Sequence, residues 1–173
     1  STNKKKINFK KKKKIIIFVG RLNKSKGYDI FGKAVINILN KFPDWKAIAI
    51  GDEPREKIIF NHKRLKTLGF KNNNIVTNWF KKSDISVVCS RIDEPFGRTA
   101  LEASSTGCAV IISNKGGLPE ASSSAIKIKN LSIRNLQKKI EKLINNKKYK
   151  KDLQKKIYKN FKLTNELAAK KID

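Results

Sequence analysis

Glu94 and Glu102 lie in the segment SRIDEPFGRTALE (90–102), with seven residues between them. An ionised carboxylate only accepts hydrogen bonds, and it takes hydroxyl hydrogens readily. Between the pair, Pro95 and Gly97 interrupt the chain just ahead of a helix-compatible run, which places residues 97–100 at an expected helix N-terminus. Unpaired N–H groups and the positive end of the helix dipole suit such a place to phosphate oxygens. A phosphate site with a carboxylate to either side fits a ligand with vicinal hydroxyls at both ends, a sugar at one and a ribose at the other. Taken singly, Asp93 and Glu94 also fit solvated loop acids, and Glu102 a surface partner for a lysine.

Two further segments carry comparable chemistry. In GRLNKSKG (20–27), Gly20 permits a tight turn beneath a ligand, while Arg21 and Lys26 supply a planar fork and a point charge, the combination that engages a pyrophosphate. In SNKGGLPE (113–120), Gly116 and Gly117 permit close backbone approach, and Pro119 and Glu120 suit the start of a short helix. An ordinary tight turn fits this last segment equally. The lone His62 falls in an expected helix and reads as a surface residue. Cys89 and Cys108 match no metal-ligand spacing and read as small core residues at strand ends, so no metal site is expected.

Each of the three segments follows a short apolar run. IIIFVG (15–20), AIAIG (47–51), NIVT (74–77), residues 85–89, AVIIS (109–113) and AIKIK (125–129) read as six strands. Helices are expected over 28–42, over 55–68 with Gly69 as C-cap, over 98–106, and in two Lys-rich stretches over 132–145 and 148–161, followed by a tail. Strands alternating with helices imply an α/β fold: a doubly wound, mostly parallel, six-stranded Rossmann-like sheet with helices on both faces. Ligands of such sheets bind at the carboxyl ends of the strands. Residues 1–14 read as a basic lead-in or linker, 15–130 as the Rossmann-like ligand-binding domain, and 131–173 as Lys-rich helices packed on it.

The chain has 173 residues, 41 Lys+Arg and 14 Asp+Glu, a net charge of +27. That length supports a core without disulfide staples, and 39% hydrophobic residues exclude a disordered polycation. No apolar run reaches the roughly 18 residues of a membrane span, and the N-terminus lacks the apolar stretch of a signal peptide, so a cytoplasmic setting is expected. Nucleic acid and anionic membrane are the two partners such a charge attracts. Only six of the cations are Arg, however, and Lys, Ile and Asn dominate the chain, a bias of AT-rich coding rather than of base and phosphate recognition. Nucleic acid is therefore disfavoured, and the inner face of a membrane is retained as a place of peripheral attachment.

Taken together, VGRLNKSKG (19–27), AIGDEP (49–54), SDISVVCS (83–90), EPFGRTALEASSTGCAVIIS (94–113) and GGLPEA (116–121) resemble, in order, the C-terminal, donor-binding domain of GT-B glycosyltransferases. The similarity covers about residues 15–130 and is strongest to the retaining family 4 group, which includes lipopolysaccharide and other surface-glycan transferases. It implies one half of a GT-B fold, with a nucleoside diphosphate sugar (UDP- or GDP-sugar) as donor and neither metal nor cofactor. Arg21 and Lys26 would hold the pyrophosphate and stabilise the leaving diphosphate, and Glu94 would contact sugar hydroxyls near the reacting carbon. Phe96 and Gly97 would offer N–H groups to the sugar, Arg98 and Thr99 to phosphate, and Glu102 would hold the ribose. The resemblance also implies an acceptor half ahead of this one, so the chain is expected to be half of an enzyme and inactive alone. NWFKKSD (78–84) is shorter than the helix-bearing segment usual near the base; Asn78 and Trp79 are the candidates for base contact there, although Trp79 also fits plain core or a packing lid. The alternatives are a non-catalytic nucleotide-sugar-binding module and a basic protein that binds nucleic acid or a membrane surface. Charge reversal at Arg21 is expected to abolish donor binding, and at Lys150 to leave it intact.

Overall fold

The structure, a computed structural model, describes residues 7–172. In chain order the elements are β1 (Lys13–Val19), α1 (Tyr28–Lys41), β2 (Lys46–Ile50), β3 (Leu65–Thr67), α2 (Asn73–Lys82), β4 (Ser83–Val88), α3 (Arg98–Ser105), β5 (Ala109–Ser113), α4 (Leu118–Ala121), β6 (Ile126–Ile128), α5 (Ile133–Asn145) and α6 (Lys147–Ile172). One turn of 3-10 helix, Phe9–Lys11, precedes them. All strand pairs are parallel, in the order β3-β2-β1-β4-β5-β6. The β-branched runs of β1 and β5 are buried throughout their centres, as strands covered on both faces must be. Helix α1 packs with α5, and α3 packs with α2 and α6, which gives the expected doubly wound α/β sheet. The chain winds outward from β1 to β3 and then returns to place β4 beside β1. That reversal opens a crevice beyond the carboxyl ends of β1 and β4.

Three sequence expectations are corrected. Residues 55–68 are not a helix: the segment runs as a loop into β3. Its apolar residues serve another contact, because the Phe60 ring lies over Gly32 of α1, where a Cβ would fall 2.0 Å from it, and meets the Tyr28 ring edge-on at 5.5 Å. This packing overrides local propensity. His62 therefore sits in a bridge to Leu65, with Nε2 2.9 Å from the Asn40 side chain. Residues 74–77 are not the third strand but the first turn of α2, whose N-cap Asn72 accepts from the Ile75 N–H at 3.1 Å. The helix missing from the usual alternation thus falls between β2 and β3, one unit earlier than the short NWFKKSD segment implied. Helix α6 also continues through residues 162–172, where a tail was expected.

The basic lead-in lies partly outside the described residues; of the rest, Lys13 and Lys14 begin β1. The Lys12 ammonium donates to the Phe80, Lys81 and Ser83 carbonyls at the end of α2, a burial that lowers its pKa. Lys150, read as one of many surface lysines, is buried instead. Its Nζ donates to Asp84 Oδ2 at 2.8 Å and lies 5.2 Å from the Trp45 ring centroid, while Gln154 holds the other Asp84 oxygen. Both partners of the pair are only 9% exposed. Lys150→Ala should therefore cost about 3–5 kcal/mol of stability, because Asp84 is left buried without its partner. Urea unfolding measures this, and a loss below about 1 kcal/mol, the value of a surface pair, would contradict it.

Candidate functional site

The loop after β1 folds back on β2. Gly20 donates to the Ile50 carbonyl at 3.0 Å and Leu22 to that of Asp52 at 3.3 Å. Asn23, 8% exposed, is the pivot: its Oδ1 accepts from the Lys26 N–H at 2.9 Å and its Nδ2 donates to Glu53 Oε2 at 3.1 Å. Arg55 and Asn23 together hold the Glu53 carboxyl below its usual range. Arg21 is exposed and has no ion-pair partner among the described residues.

The loop after β4 is pinned at both ends. Arg91 makes a two-pronged ion pair with Asp29 of α1, at 2.7 and 2.8 Å, and its backbone N–H donates to Ser25. Glu94 Oε1 accepts from both Lys26 Nζ, at 2.5 Å, and Ser90 Oγ, at 2.8 Å. The loop after β5 packs directly beneath: Gly117 N–H donates to the Glu94 carbonyl at 2.6 Å and Gly116 N–H to Asp93 Oδ1 at 3.0 Å. Gly116 has φ +51°, and a Cβ there would lie 2.4 Å from the Glu94 backbone. Only glycine meets both conditions. Gly97 then takes a left-handed conformation and starts α3 with no side-chain cap, leaving the first N–H groups of α3 open to a ligand.

A cavity of about 260 Å³ lies in this crevice, lined by Gly20, Lys26, Glu94, Phe96, Gly97, Arg98 and Thr99 among others. A second, of about 360 Å³, adjoins it across Val19 and Gly20 and is lined by Arg21, Glu102, Phe70, Lys71 and Asn73. Glu94 and Glu102 therefore stand on either side of the exposed start of α3, as their spacing implied. Nine of the ten expected site residues meet here. Asn78 does not: it is exposed on α2 and lines neither cavity. Its neighbour Trp79 lines a groove with Ile15 and Lys46, at the opposite ends of the strands. The first turn of α2, not its last, approaches the crevice.

Ser90, Asp29 and Arg91 were not read as site residues. The one signal for Ser90 was a hydroxyl four residues before Glu94, and for Asp29–Arg91 there was none, since 61 residues separate them in sequence. Cys89 is buried, and burial pushes its thiol up to about 12, so it is a packing residue and not a nucleophile. Among the described residues no group of three or more His, Cys, Asp or Glu is placed to hold a metal ion, and no helix is long and apolar enough to cross a membrane.

The family described as Glycosyl transferases group 1 matches residues 1–160. The chain belongs to this family. Among curated relatives, it is 36% identical to spore coat protein SA of Bacillus subtilis over 62% of its length and 32% of that protein's. It is 30% identical to the lipopolysaccharide core biosynthesis mannosyltransferase LpsB of Rhizobium meliloti over 62% of its length and 33% of that protein's. The chain thus spans about a third of the length of these relatives. Among solved structures, the C-terminal domain of the glycosyl transferase group 1 family protein LpcC of Francisella tularensis superposes with a TM-score of 0.75 at 30% identity, covering 87% of this chain and 84% of that one. Anabaena Alr3699/HepE, solved with UDP-glucose, shares the fold, with a TM-score of 0.73 at 20% identity over 86% of this chain and 44% of its own. The expected fold, that of a GT-B glycosyltransferase C-terminal domain, is the one present.

The Asp29–Arg91 pair supplies a pH test of the loop anchor. The Arg91 hydrogen bonds hold the Asp29 carboxyl below its ordinary range. Because the folded-state pKa is depressed, the pair stabilises the fold above the unfolded value of about 4 and is lost as pH falls through the folded value. Arg91→Gln should therefore be less stable than the parent chain at pH 7, and the gap should close as pH falls below about 4. Thermal unfolding of both across pH 2–7 reads this; a gap that persists at the acid end would contradict it.

Proposed function

We propose that this chain is the donor-binding part of a retaining glycosyltransferase of the family 4 type, acting on a nucleoside diphosphate sugar in surface-glycan synthesis. The observation that carries the reading is the uncapped start of α3, flanked by Glu94 and Glu102 and faced by Lys26 and Arg21, in one crevice at the switch point of the sheet.

A diphosphate laid across Gly20 would receive the first α3 N–H groups, with Lys26 and Arg21 opposite. As the bond from the anomeric carbon to the diphosphate oxygen breaks, negative charge grows on that oxygen, and fixed donors aimed there stabilise it. Glu94 would accept from the hydroxyls of the transferred sugar in the 260 Å³ cavity, beside Phe96. Glu102 would accept from the ribose hydroxyls in the adjoining cavity, where Phe70, 75% exposed, offers a face to the base in the place once expected of Asn78. No metal enters this scheme, since Arg21, Lys26 and the helix start supply the positive charge. The acceptor would bind in the part of the relatives that this chain does not span.

Support for the sugar nucleotide comes from the UDP-glucose bound to HepE, and for a surface glycan from LpsB. Isothermal titration with UDP- and GDP-sugars at low salt tests the reading. Binding is expected for at least one of them, lost in Arg21→Glu and kept in Lys155→Glu, which changes an exposed lysine of α6. No binding of any nucleoside diphosphate sugar would overturn it. Glu94→Gln separates the two halves of the ligand. It frees Lys26, so UDP alone should bind as well as before or more tightly, while the extra affinity for the intact UDP- or GDP-sugar should fall by about 1–3 kcal/mol.

A further inference from the structure

The opposite, amino-terminal edge of the sheet holds the larger concavity. A groove of about 550 Å³ opens where β1, β2 and β3 begin, walled on one side by the end of α2. Seven of its twelve lining residues are Lys or Arg and one, Asp44, is acidic. Lysines are common everywhere in this chain, so their number alone decides nothing. What distinguishes the groove is how its cations are used.

Helix C-termini carry negative partial charge, and lysines near them are normally explained by it. Here that need is met by two other residues. Arg64 donates to the Leu39, Phe42 and Trp45 carbonyls at the end of α1, and Lys12 donates to those of Phe80, Lys81 and Ser83 at the end of α2. Among the described residues the only ion pair at the groove is Lys14 with Asp44, at 3.5 Å and with both side chains exposed. Lys13, Lys46, Lys63, Lys66 and Lys82 have no ion-pair partner among the described residues. They come from five elements or loops that converge on one hollow. At the crevice on the other edge, Lys26, Arg55 and Arg91 each hold an acid, and Arg21, Lys71 and Arg98, unpaired among the described residues, face the place proposed for the donor diphosphate. Trp79 forms part of the groove wall, with Lys82 Nζ 5.1 Å from its ring centroid, so one side of the hollow is an apolar face that carries a cation.

We propose that this groove is a second anion site, separate from the crevice, which takes a ligand bearing two or more phosphate groups close together. Several unneutralised ammonium groups around one hollow raise the local potential for a compact multivalent anion far more than for a single charge. A flat membrane or a duplex cannot enter a hollow of this size; a phosphorylated headgroup or a free polyphosphate can. Lysine, a strongly hydrated point charge with rotatable donors, suits phosphate of either source.

The test uses the chain with Arg21→Glu, so that the crevice does not contribute, and inorganic tripolyphosphate as probe at about 150 mM salt, where diffuse surface attraction is screened. One saturable site per chain is expected. Lys46→Gln with Lys66→Gln and Lys82→Gln should weaken it about tenfold or more. Removing the same charge from exposed positions of α6, with Lys151→Gln, Lys155→Gln and Lys159→Gln, should change it less than about twofold. Circular dichroism confirms that both triple variants fold, as expected of exposed positions. In a second arm, phosphatidylcholine vesicles with and without phosphatidylinositol 4,5-bisphosphate, whose headgroup carries several phosphates, are sedimented with the same proteins. Capture by the bisphosphate vesicles that tripolyphosphate displaces and the groove variant abolishes supports a lipid source, and tripolyphosphate binding without capture supports a free one. Equal weakening in the two triple variants, absence of saturable binding to both probes, or tighter groove-dependent binding of short duplex DNA would overturn the proposal. None of these outcomes depends on whether the crevice binds a sugar nucleotide.

Discussion

One carboxylate oxygen ties the crevice together. Glu94 Oε1 accepts from Lys26, in the loop after β1, and from Ser90, at the end of β4, while the Glu94 backbone carbonyl accepts from Gly117, in the loop after β5. Three loops that belong to three strands are thereby one body. The tie depends on missing side chains as much as on present ones, because Gly116 lies against the Glu94 backbone at a distance no Cβ permits. It also depends on solvent exclusion: Lys26 and Glu94 side chains are 29% and 16% exposed, so their attraction is less screened than at the surface. A ligand that takes Lys26 for its phosphate must therefore offer Glu94 hydroxyl donors in return, or leave a half-buried carboxylate underpaired. That coupling favours a ligand carrying both groups over one carrying phosphate alone.

The topology explains why these loops meet at all. Because β4 returns beside β1, the segments after them face each other across the crevice rather than lying at opposite edges of the sheet. Helix α3 begins there, and Glu102, four residues beyond Arg98, lies one turn up the same helix. A spacing of seven residues between Glu94 and Glu102 is thus one loop plus one turn, enough to put a carboxylate on each side of the first α3 N–H groups. Asp29 and Arg91 act behind this arrangement, fastening the β4 loop to α1 and so holding Ser90 under Glu94.

What was legible in the sequence had local causes. Runs such as IIIFV and AVIIS admit little besides a strand covered on both faces, and glycine at their ends marks where the chain must turn, so five of the six strands and the loops that follow them could be read directly. The failures share a different cause. Ile58 and Leu65 lie two helical turns apart, as a helix would space them, but Phe60 between them is claimed by the gap over Gly32, a contact between residues 28 apart. Ile75 and Val76 favour a strand by type, yet Asn72 caps a helix there. Moving that helix forward carried Asn78 away from the crevice and brought Phe70 and Asn73 toward it. Lys150 was illegible for the same reason: among so many lysines, nothing local distinguishes the one that pairs with Asp84 inside the core.

The same long-range view gives the +27 net charge a structure. Cations at the two edges of the sheet face different demands. At the carboxyl edge helices begin, positive dipole ends converge, and added cations would repel; there Lys26, Arg55 and Arg91 each stand beside an acid, and Arg21, Lys71 and Arg98, unpaired among the described residues, line the crevice assigned to the donor diphosphate. At the amino edge helices end, carbonyls need donors, and cations are welcome. But the number of carbonyls is limited, and two residues, Arg64 and Lys12, already serve six of them. Beyond that point each further lysine on the amino edge repels those already present and is not offset by the fold itself. Coding bias explains why a lysine occupies an exposed position, but it does not concentrate lysines from β1, β2, β3 and α2 around one hollow while leaving a single acid among them. An anion from outside the chain supplies the missing compensation.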